Sequence, residues 1–279
     1  MSTAVRVRGL RKEYPGQVAV AGIELDIRHG EVFALLGPNG AGKTTTVEIL
    51  EGHRRRTAGT AEVLGEDPGT AGRAWRARIG IVLQTATDAA ELTVLETVRH
   101  FAKYYPDPRV PEEVIDQVGL TEKAGARVKS LSGGQRRRVD VALGIVGRPE
   151  LLFLDEPTTG FDPAARRQFW TLIEGLAHEG TTILLTTHYL DEVEALADRL
   201  AVLAGGKIVA EGTPATLGGR ERAEAIVRWR DERGSHEERT PFPTKLVTQL
   251  SGAGRELAGL TVTRPSLEDV YLNLIEEES

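Results

Sequence analysis

Residues 37–45 read GPNGAGKTT, and this stretch constrains the fold more than any other part of the 279-residue chain. It matches the pattern G-x-x-x-x-G-K-[ST], which wraps the phosphates of a nucleotide where a buried strand runs into a helix. The preceding residues 32–36, VFALL, form the continuous apolar run typical of a parallel strand covered on both faces. Residues 45–50 continue a helical pattern that ends at Gly52. The sequence therefore predicts an α/β core of the P-loop NTPase type.

The residue types in this loop suit a bound anion. Its glycines let successive backbone N–H groups converge on one phosphate, and the helix that starts there adds about half a positive elementary charge. Lys43 is a cation for the β and γ phosphates, and the Thr44 hydroxyl is a ligand for Mg²⁺. A Gly-rich turn with a solvated lysine is the other interpretation, but it does not require the preceding strand. The predicted nucleotide-binding residues of the loop are Gly37, Pro38, Asn39, Gly40, Ala41, Gly42, Lys43, Thr44 and Thr45.

Composition limits the possible partners and compartments. The 41 acidic and 35 basic residues give a formal net charge of −6, so there is no general attraction to nucleic acid. Short arginine runs at 54–56, 136–138 and 166–167 are interpreted as solvated helix faces. The chain has no cysteine, which fits the cytosol, and no apolar run reaches the ~18 residues of a membrane helix. We expect a cytoplasmic protein of two unequal units with no nucleic-acid partner and at most a peripheral membrane role.

The residues before the loop predict two antiparallel strands, at 4–9 and 17–27, separated by a turn at Pro15 and Gly16. Tyr14 lies at this turn. An exposed aromatic face there could stack on a purine, and a half-buried edge aromatic is the equally acceptable alternative.

The residues after the loop helix predict two more strands, at 59–64 and 78–83. Gln84 follows the second, at the carboxyl end of the sheet, where ligands bind in α/β proteins. The pattern is then helical from about 85 to 148, and Thr93-x-x-Glu96 is a capping box.

LSGGQ at 131–135 is a second Gly-rich helix start. Backbone donors and the helix dipole make such a start a possible anion site, although a simply capped helix N-terminus is the commoner case. The sequence by itself leaves both interpretations open.

Two later strands end in polar residues. The apolar run at 151–154 delivers Asp155 and Glu156 to the carboxyl edge, where one carboxylate can hold Mg²⁺ and the other can polarise water. The run at 181–185 ends in Thr187 and His188, and His188 could hydrogen-bond a γ phosphate or the water. We therefore predict one catalytic edge formed by these strands.

Taken together and in this order, GPNGAGKTT, Gln84, LSGGQ, LLFLDEP, the turn at 160–162 and His188 resemble the ATP-binding cassette (ABC) family over residues 4–215. The resemblance implies a cassette with an antiparallel β-subdomain and a helical subdomain at about 85–148, and a fold of the ABC nucleotide-binding type. It also implies ATP hydrolysis, with ATP and Mg²⁺ as ligands.

The resemblance further implies a role for each motif residue. Tyr14 would stack on adenine, Gln84 would sense Mg²⁺ and communicate with a membrane partner, and Asp155 would support the metal. Glu156 would be the general base, and His188 would contact the γ phosphate. Cassettes of this family dimerise head to tail, so residues of LSGGQ and the 160–162 turn would meet ATP bound to the opposing subunit; these are Ser132, Gly133, Gly134, Gln135 and Asp162. Phe161 departs from the usual leucine before the aspartate but is also apolar.

The tail, residues 216–279, is predicted to be a small α+β accessory or dimerisation region. Residues 224–230 and 260–263 read as strands, 231–241 as a charged loop and 245–252 as a short helix. A final helix begins at the Ser266-x-x-Asp269 cap. The segment RPSLEDVY at 264–271 resembles the ending of the ATPases of drug-resistance exporters, whose membrane subunit is a separate chain.

The expected function is therefore that of an enzyme, a homodimeric ATPase on the inner face of the cell membrane. It would drive export of a small molecule, such as an antibiotic, through a separate integral-membrane permease that handles the cargo. A soluble ABC regulator of ribosomes or chromosomes is the alternative, although this chain has neither a second cassette nor a long coiled coil. An import cassette is a third possibility.

Overall fold

The computed structural model of the protein describes residues 2–82, 91–231, 234–252, 254 and 256–276. Among these residues, no helix combines the length and the hydrophobicity that crossing a bilayer requires. The strands in chain order are β1 (Thr3–Tyr14), β2 (Gln17–Arg28), β3 (Val32–Leu36), β4 (Ala58–Val63), β5 (Ile79–Val82), β6 (Leu151–Asp155), β7 (Thr182–Thr186), β8 (Arg199–Ala204), β9 (Lys207–Gly212), β10 (Ala225–Asp231), β11 (Gly234–Thr240) and β12 (Ala258–Thr263). The α-helices are α1 (Lys43–Leu50), α2 (Arg73–Arg76), α3 (Val94–Ala102), α4 (Pro111–Gln117), α5 (Gly133–Ile145), α6 (Pro163–His178), α7 (Leu190–Leu196), α8 (Pro243–Ser251) and α9 (Leu267–Glu276).

A six-stranded sheet in the order β5-β6-β7-β3-β8-β9 lies at the centre of the fold. The strands from β5 to β8 in this order pair in parallel, and β9 pairs with β8 in the antiparallel sense. All five residues of β3 are buried, as its apolar run predicts. Since parallel strands end at one edge, the segments after β3, β6 and β7 are brought together. The predicted α/β fold is confirmed.

The predicted antiparallel strands also form, and β4 joins them in a sheet of order β2-β1-β4. Along β1, Val5 and Val7 are buried while Arg6 and Arg8 are exposed. This period of two lets one face of the sheet pack on Phe33 of β3 in a common core. Tyr14 ends β1 and pairs with Gln17 across the turn.

The helices α3 to α5 form the predicted helical part. Thr93 caps α3, and its side chain and that of Glu96 make the reciprocal bonds of the capping box. Val98 is buried, and Phe101 packs against the same apolar core. Tyr105 packs against the same core from beyond the end of α3 at Ala102.

The prediction of a charged loop at 231–241 is wrong, because residues 234–240 form strand β11 of a sheet ordered β11-β10-β12. Arg228 pairs with Glu237 across the strands at 2.7 Å, and the rings of Trp229 and His236 stack with centroids 5.2 Å apart. The charges that suggested a loop are cross-strand pairs on an exposed sheet.

The last helix packs on the cassette rather than on its own sheet. Leu267 and Val270 of α9 are buried in one cluster with Leu36, Leu200 and Val202 of the central sheet. The boundary between residues 215 and 216 stays a prediction.

Candidate functional site

The loop of residues 37–45 runs from the end of β3 to the start of α1. Two of its glycines lie where there is no room for a side chain. A Cβ atom on Gly37 would lie 2.2 Å from the Leu203 carbonyl oxygen, and one on Gly42 would lie 2.3 Å from that of Ala19. Gly42 also has a φ of 104°, a conformation that other residues rarely adopt. The loop is therefore held tightly against β2 and β8 while α1 begins inside it.

Lys43 lies in the loop with its side chain largely buried. Its Nζ donates to the carbonyl oxygens of Gly37 at 2.6 Å and Pro38 at 3.1 Å. Burial lowers the pKa of Lys43, and the nearby carboxylates of Glu156 and Asp155 oppose this shift. A cation with so little water around it attracts a phosphate group more strongly than a solvated one.

The segment after β6 carries the two acidic residues. The Thr186 hydroxyl donates to Asp155 Oδ1, which fixes that carboxylate against β7. Glu156 has a φ of 45°, unusual for a residue with a side chain, and its N–H donates to the Thr186 carbonyl at 3.0 Å. Its Oε1 lies 3.3 Å from Nδ1 of His188. Backbone strain held in place in this way is common at functional sites.

One cavity of about 690 Å³ brings most of the predicted residues together. It is lined by Tyr14, Gln17, Ala19, residues 37–45, Asp155, Glu156, His188 and Tyr271. This volume is in the usual range for small-molecule sites, and the lining offers backbone donors, one cation and two carboxylates. The arrangement fits a nucleotide with its phosphates in the loop. Gln84 lies outside the described residues.

The LSGGQ residues lie outside this cavity. Ser132 caps α5, its Oγ accepting from the Gln135 N–H at 3.3 Å while the Gln135 side chain accepts from the Ser132 N–H at 3.1 Å. Gly133 and Gly134 line a separate cavity of about 250 Å³ that also touches Glu156. Within one chain the second Gly-rich helix start therefore does not face the phosphate loop.

Asp162 likewise lies outside the large cavity. Its Oδ1 accepts from the N–H groups of Ala164 at 2.9 Å and Ala165 at 2.8 Å, so it caps α6. Its assignment to nucleotide binding stays a prediction.

The interpretation of residues 136–138 as a solvated helix face is wrong for Arg137, which is only 7% exposed. Its guanidinium donates to the carbonyl oxygens of Asp155 at 2.6 Å and Pro157 at 3.1 Å. Arg137 therefore joins the helix that follows LSGGQ to the acidic segment. The burial of Arg137 is indicated in the sequence by its spacing of four residues from Val141, which is buried on the same helix face.

The other arginine runs also make specific contacts. Arg54 donates to the Tyr14 hydroxyl and pairs with Glu48, and the Arg166 guanidinium lies 4.5 Å from the Tyr189 ring centroid. These side chains extend along the protein surface rather than standing free in solvent.

Tyr14 lines the cavity between two cations. Lys12 Nζ lies 5.0 Å from its ring centroid, and the Arg54 guanidinium carbon lies 5.5 Å from it. The ring is half-buried. These contacts hold the ring beside the phosphate loop, where it can stack on a base.

We predict that Tyr14→Ala weakens ATP binding by about 1 to 3 kcal/mol, the range for an aromatic ring stacked on a base. Tyr14→Phe keeps the ring and loses only the contact with Arg54, so its affinity should stay near that of the wild type. The dissociation constants of both variants for a fluorescent ATP analogue check this. Equal losses in the two variants would show that the hydroxyl, not stacking, matters.

A third cavity, of about 240 Å³, lies between the central sheet and the helical part. Glu51 lines it and is only 4% exposed. Its Oε2 has no hydrogen-bond partner within the described ranges, although His53 Nδ1 lies 3.3 Å away. Burial, with the charges of Asp155 and Glu48, raises the pKa of Glu51 to about 8.

This carboxyl should make stability fall as pH rises. The ordinary pKa of a glutamate is 4.5, so above this pH Glu51 loses its proton in the unfolded chain. In the folded chain Glu51 keeps the proton up to about pH 8. The free energy of unfolding therefore declines between these limits. Glu51→Gln removes the titration and should be more stable than the wild type by on the order of 3 kcal/mol at pH 8, but not at pH 4.5.

Thermal unfolding from pH 4.5 to 8.5 measures the effect. Glu174→Gln, which changes an exposed carboxylate on α6, is the matched control and should follow the wild-type curve. A Glu51→Gln curve parallel to that of the wild type would contradict the raised pKa.

Comparison with known protein families and relatives gives consistent matches. A family model described as ABC transporter matches residues 20–159. The chain is 38% identical to the daunorubicin/doxorubicin resistance ATP-binding protein DrrA of Streptomyces peucetius, over 97% of this chain and 92% of the relative. It is 44% identical to the Nod factor export ATP-binding protein I of Ralstonia nicotianae, over 76% of this chain and 67% of the relative.

Solved structures give the same fold. The ATP binding subunit of an ABC transporter superposes with a TM-score of 0.70 at 26% identity, over 76% of this chain and 90% of that one. A dimeric ATP-binding cassette with ADP and Pi, in a post-hydrolysis state, superposes with a TM-score of 0.68 at 23% identity, over 75% and 98%. At 23% identity, this second structure shows only that the fold is shared.

Proposed function

Since the chain belongs to the ABC transporter family and is an ATPase of that family, we propose that it powers export of a small molecule through a separate membrane permease. The observation that carries the ATPase function is the cavity in which the phosphate loop, two carboxylates and His188 meet. Relatives named for daunorubicin resistance and for Nod factor export support the direction of transport. The proposed location is the cytoplasmic face of the membrane.

The cavity suggests how ATP is held. Tyr14 stacks on adenine, and residues 37–45 surround the phosphates with backbone N–H groups. The Lys43 ammonium exchanges its carbonyl contacts for β and γ phosphate oxygens, which are better partners because they carry full charge. In this pose the γ phosphate lies at the end of the cavity near Glu156 and His188.

The residues also fit Mg²⁺. Thr44 is exposed at the start of α1, and Thr44 and Asp155 line the same cavity. In the described ranges no cluster of three or more His, Cys, Asp or Glu could hold a metal. Thr44, Asp155 and Gln84 would hold the ion together with phosphate oxygens and water. A bound Mg²⁺ would neutralise negative charge on the phosphates.

Glu156 is the proposed general base. Its carboxylate lines the part of the cavity proposed for the γ phosphate, and it accepts a proton from the attacking water. His188, 3.3 Å away, orients that carboxylate and contacts the γ phosphate. Arg137 donates to the carbonyl oxygens of Asp155 and Pro157 on either side of Glu156, and the Thr186 hydroxyl accepts from the Glu156 N–H, so the base keeps its position while the proton moves.

The second anion site supports a homodimer. One compact chain has two Gly-rich helix starts, yet Ser132, Gly133 and Gly134 lie outside the cavity of the phosphate loop. We propose that two chains meet head to tail, so that the LSGGQ residues of each, with Asp162 nearby, close the nucleotide cavity of the other. Residues 1–215 would form the cassette, and residues 216–279 an accessory region that assists dimerisation.

The cavity beside Glu51 is the proposed contact for the permease. It opens between the central sheet and the helical part, with Ile81 and Val82 of β5 on one side and Phe101 on the other. Gln84, the residue that the resemblance links to the membrane partner, is two residues beyond Val82 in the sequence. A permease segment bound there would be sensitive to movement between the two parts of the cassette.

Copurification tests the function. An epitope-tagged chain should recover one integral-membrane protein, and vesicles containing both should export their cargo only with ATP. The Glu156→Gln chain should recover the same partner without transport. Recovery of ribosomes or chromosomal proteins instead would support the soluble regulator, and a permease accompanied by a substrate-binding protein would support import.

A further inference from the structure

The final helix α9 is held by Gly218 and Arg220, just after the cassette, and by the apolar cluster that it shares with the central sheet. Val270 packs so closely on Gly218 that a Cβ on this glycine would lie 2.5 Å from Val270 Cγ1. Arg220 donates to the Pro265 carbonyl just before α9 at 2.9 Å and pairs with Glu194 of α7 at 2.6 Å. The position of the next residue, Tyr271, is therefore set by the cassette.

Tyr271 lines the nucleotide cavity together with the phosphate loop, Glu156 and His188. Its ring packs on the cluster that includes Leu36, which immediately precedes the loop, and Leu190, the first residue of α7 after His188. Tyr14 approaches the cavity from β1, with Lys12 and Arg54 around it. The two tyrosines thus come from different elements, β1 and α9, and both line the cavity that contains Glu156 and His188.

The chemistry of Tyr271 suits an anion bound in this cavity. Among the described residues, none forms a hydrogen bond with its hydroxyl, whereas the Tyr14 hydroxyl accepts from Arg54. The ordinary pKa of a tyrosine is about 10, so the hydroxyl is a donor at physiological pH, and burial raises the pKa of Tyr271 further. A protonated phenol beside a cluster of carboxylates and His188 can donate to a phosphate oxygen.

Building on the proposed function, we propose that Tyr271 donates a hydrogen bond to the γ phosphate of ATP. The C-terminal segment would then supply a nucleotide-binding residue within the same chain and would distinguish ATP from ADP.

Tyr271→Phe tests this assignment because it removes the donor and keeps the ring that packs on Leu36. We expect the affinity for a non-hydrolysable ATP analogue to fall about tenfold, as for a hydrogen bond to a charged group, and that for ADP to stay unchanged. Tyr104→Phe is the matched control: Tyr104 is exposed on the helical part, with its hydroxyl 3.0 Å from His100 Nε2, and neither affinity should change.

Equal loss of affinity for both nucleotides would overturn the assignment, since it would reflect packing of the ring. Unchanged affinities would overturn it as well. A loss seen only at protein concentrations where the chain dimerises would mean that Tyr271 acts through the interface, not on the phosphate. Failure of the proposed function is distinguishable, because the wild-type chain would then not bind ATP.

Discussion

Replacement of Glu156 by glutamine should leave ATP bound while ATP turnover falls by about 10²- to 10⁴-fold, the usual contribution of a general base. The amide keeps the shape of the carboxylate and can still contact His188, but it cannot accept the proton of the attacking water. The loop and Lys43, which hold the phosphates, are unaffected. The steady-state ATPase rate and the dissociation constant for ATP, measured on the same preparation, separate the two effects.

The matched control for this variant is Glu174→Gln, which makes the same change on the exposed side of α6. It should hydrolyse ATP at the wild-type rate. If Glu156→Gln instead lost ATP affinity as severely as Lys43→Ala, Glu156 would be a binding residue and the base would have to be sought elsewhere.

Much of the fold could be predicted because its signals are local. The run VFALL is buried in full, and a buried parallel strand needs such a run at every position. The bounds of α6 follow from Asp162 as the cap and Pro163 at the first helical position. The β8–β9 hairpin at residues 199–212, around Gly205 and Gly206, is not among the predicted elements.

The site was predictable where one segment carries its own chemistry, as the phosphate loop and the Asp155-Glu156 pair do. It was not predictable where a contact depends on packing between distant segments. Arg137 looks like one of three surface arginines until α5 is placed against β6. Tyr271 belongs to the tail, and only the docking of α9 on the cluster around Leu36 brings it to the cavity. Strand β11 was missed because paired charges across two strands look like a polar loop in the sequence.

The second prediction with a large expected effect uses two variant chains, each of which should be inactive alone. Lys43→Ala removes the cation from the phosphate loop but leaves LSGGQ intact. Ser132→Arg places bulk and charge at the start of α5 but leaves the loop intact. If each ATP site is shared by two chains, both homodimers contain two defective sites.

A mixed dimer of these variants has one site in which an intact loop faces an intact LSGGQ. Random pairing makes half of the dimers mixed, so a 1:1 mixture should recover about a quarter of the wild-type activity if each site works independently. Two different tags, with purification through both, isolate the mixed dimers, which should then show about half of the wild-type rate.

The ATPase rate of these doubly tagged dimers is the most direct test of the composite site. We predict activity well above that of either parent variant, at about half of the wild-type rate. Mixed dimers that are shown to form and remain as inactive as their parents would contradict a site shared between two chains, and so would full activity of Ser132→Arg alone.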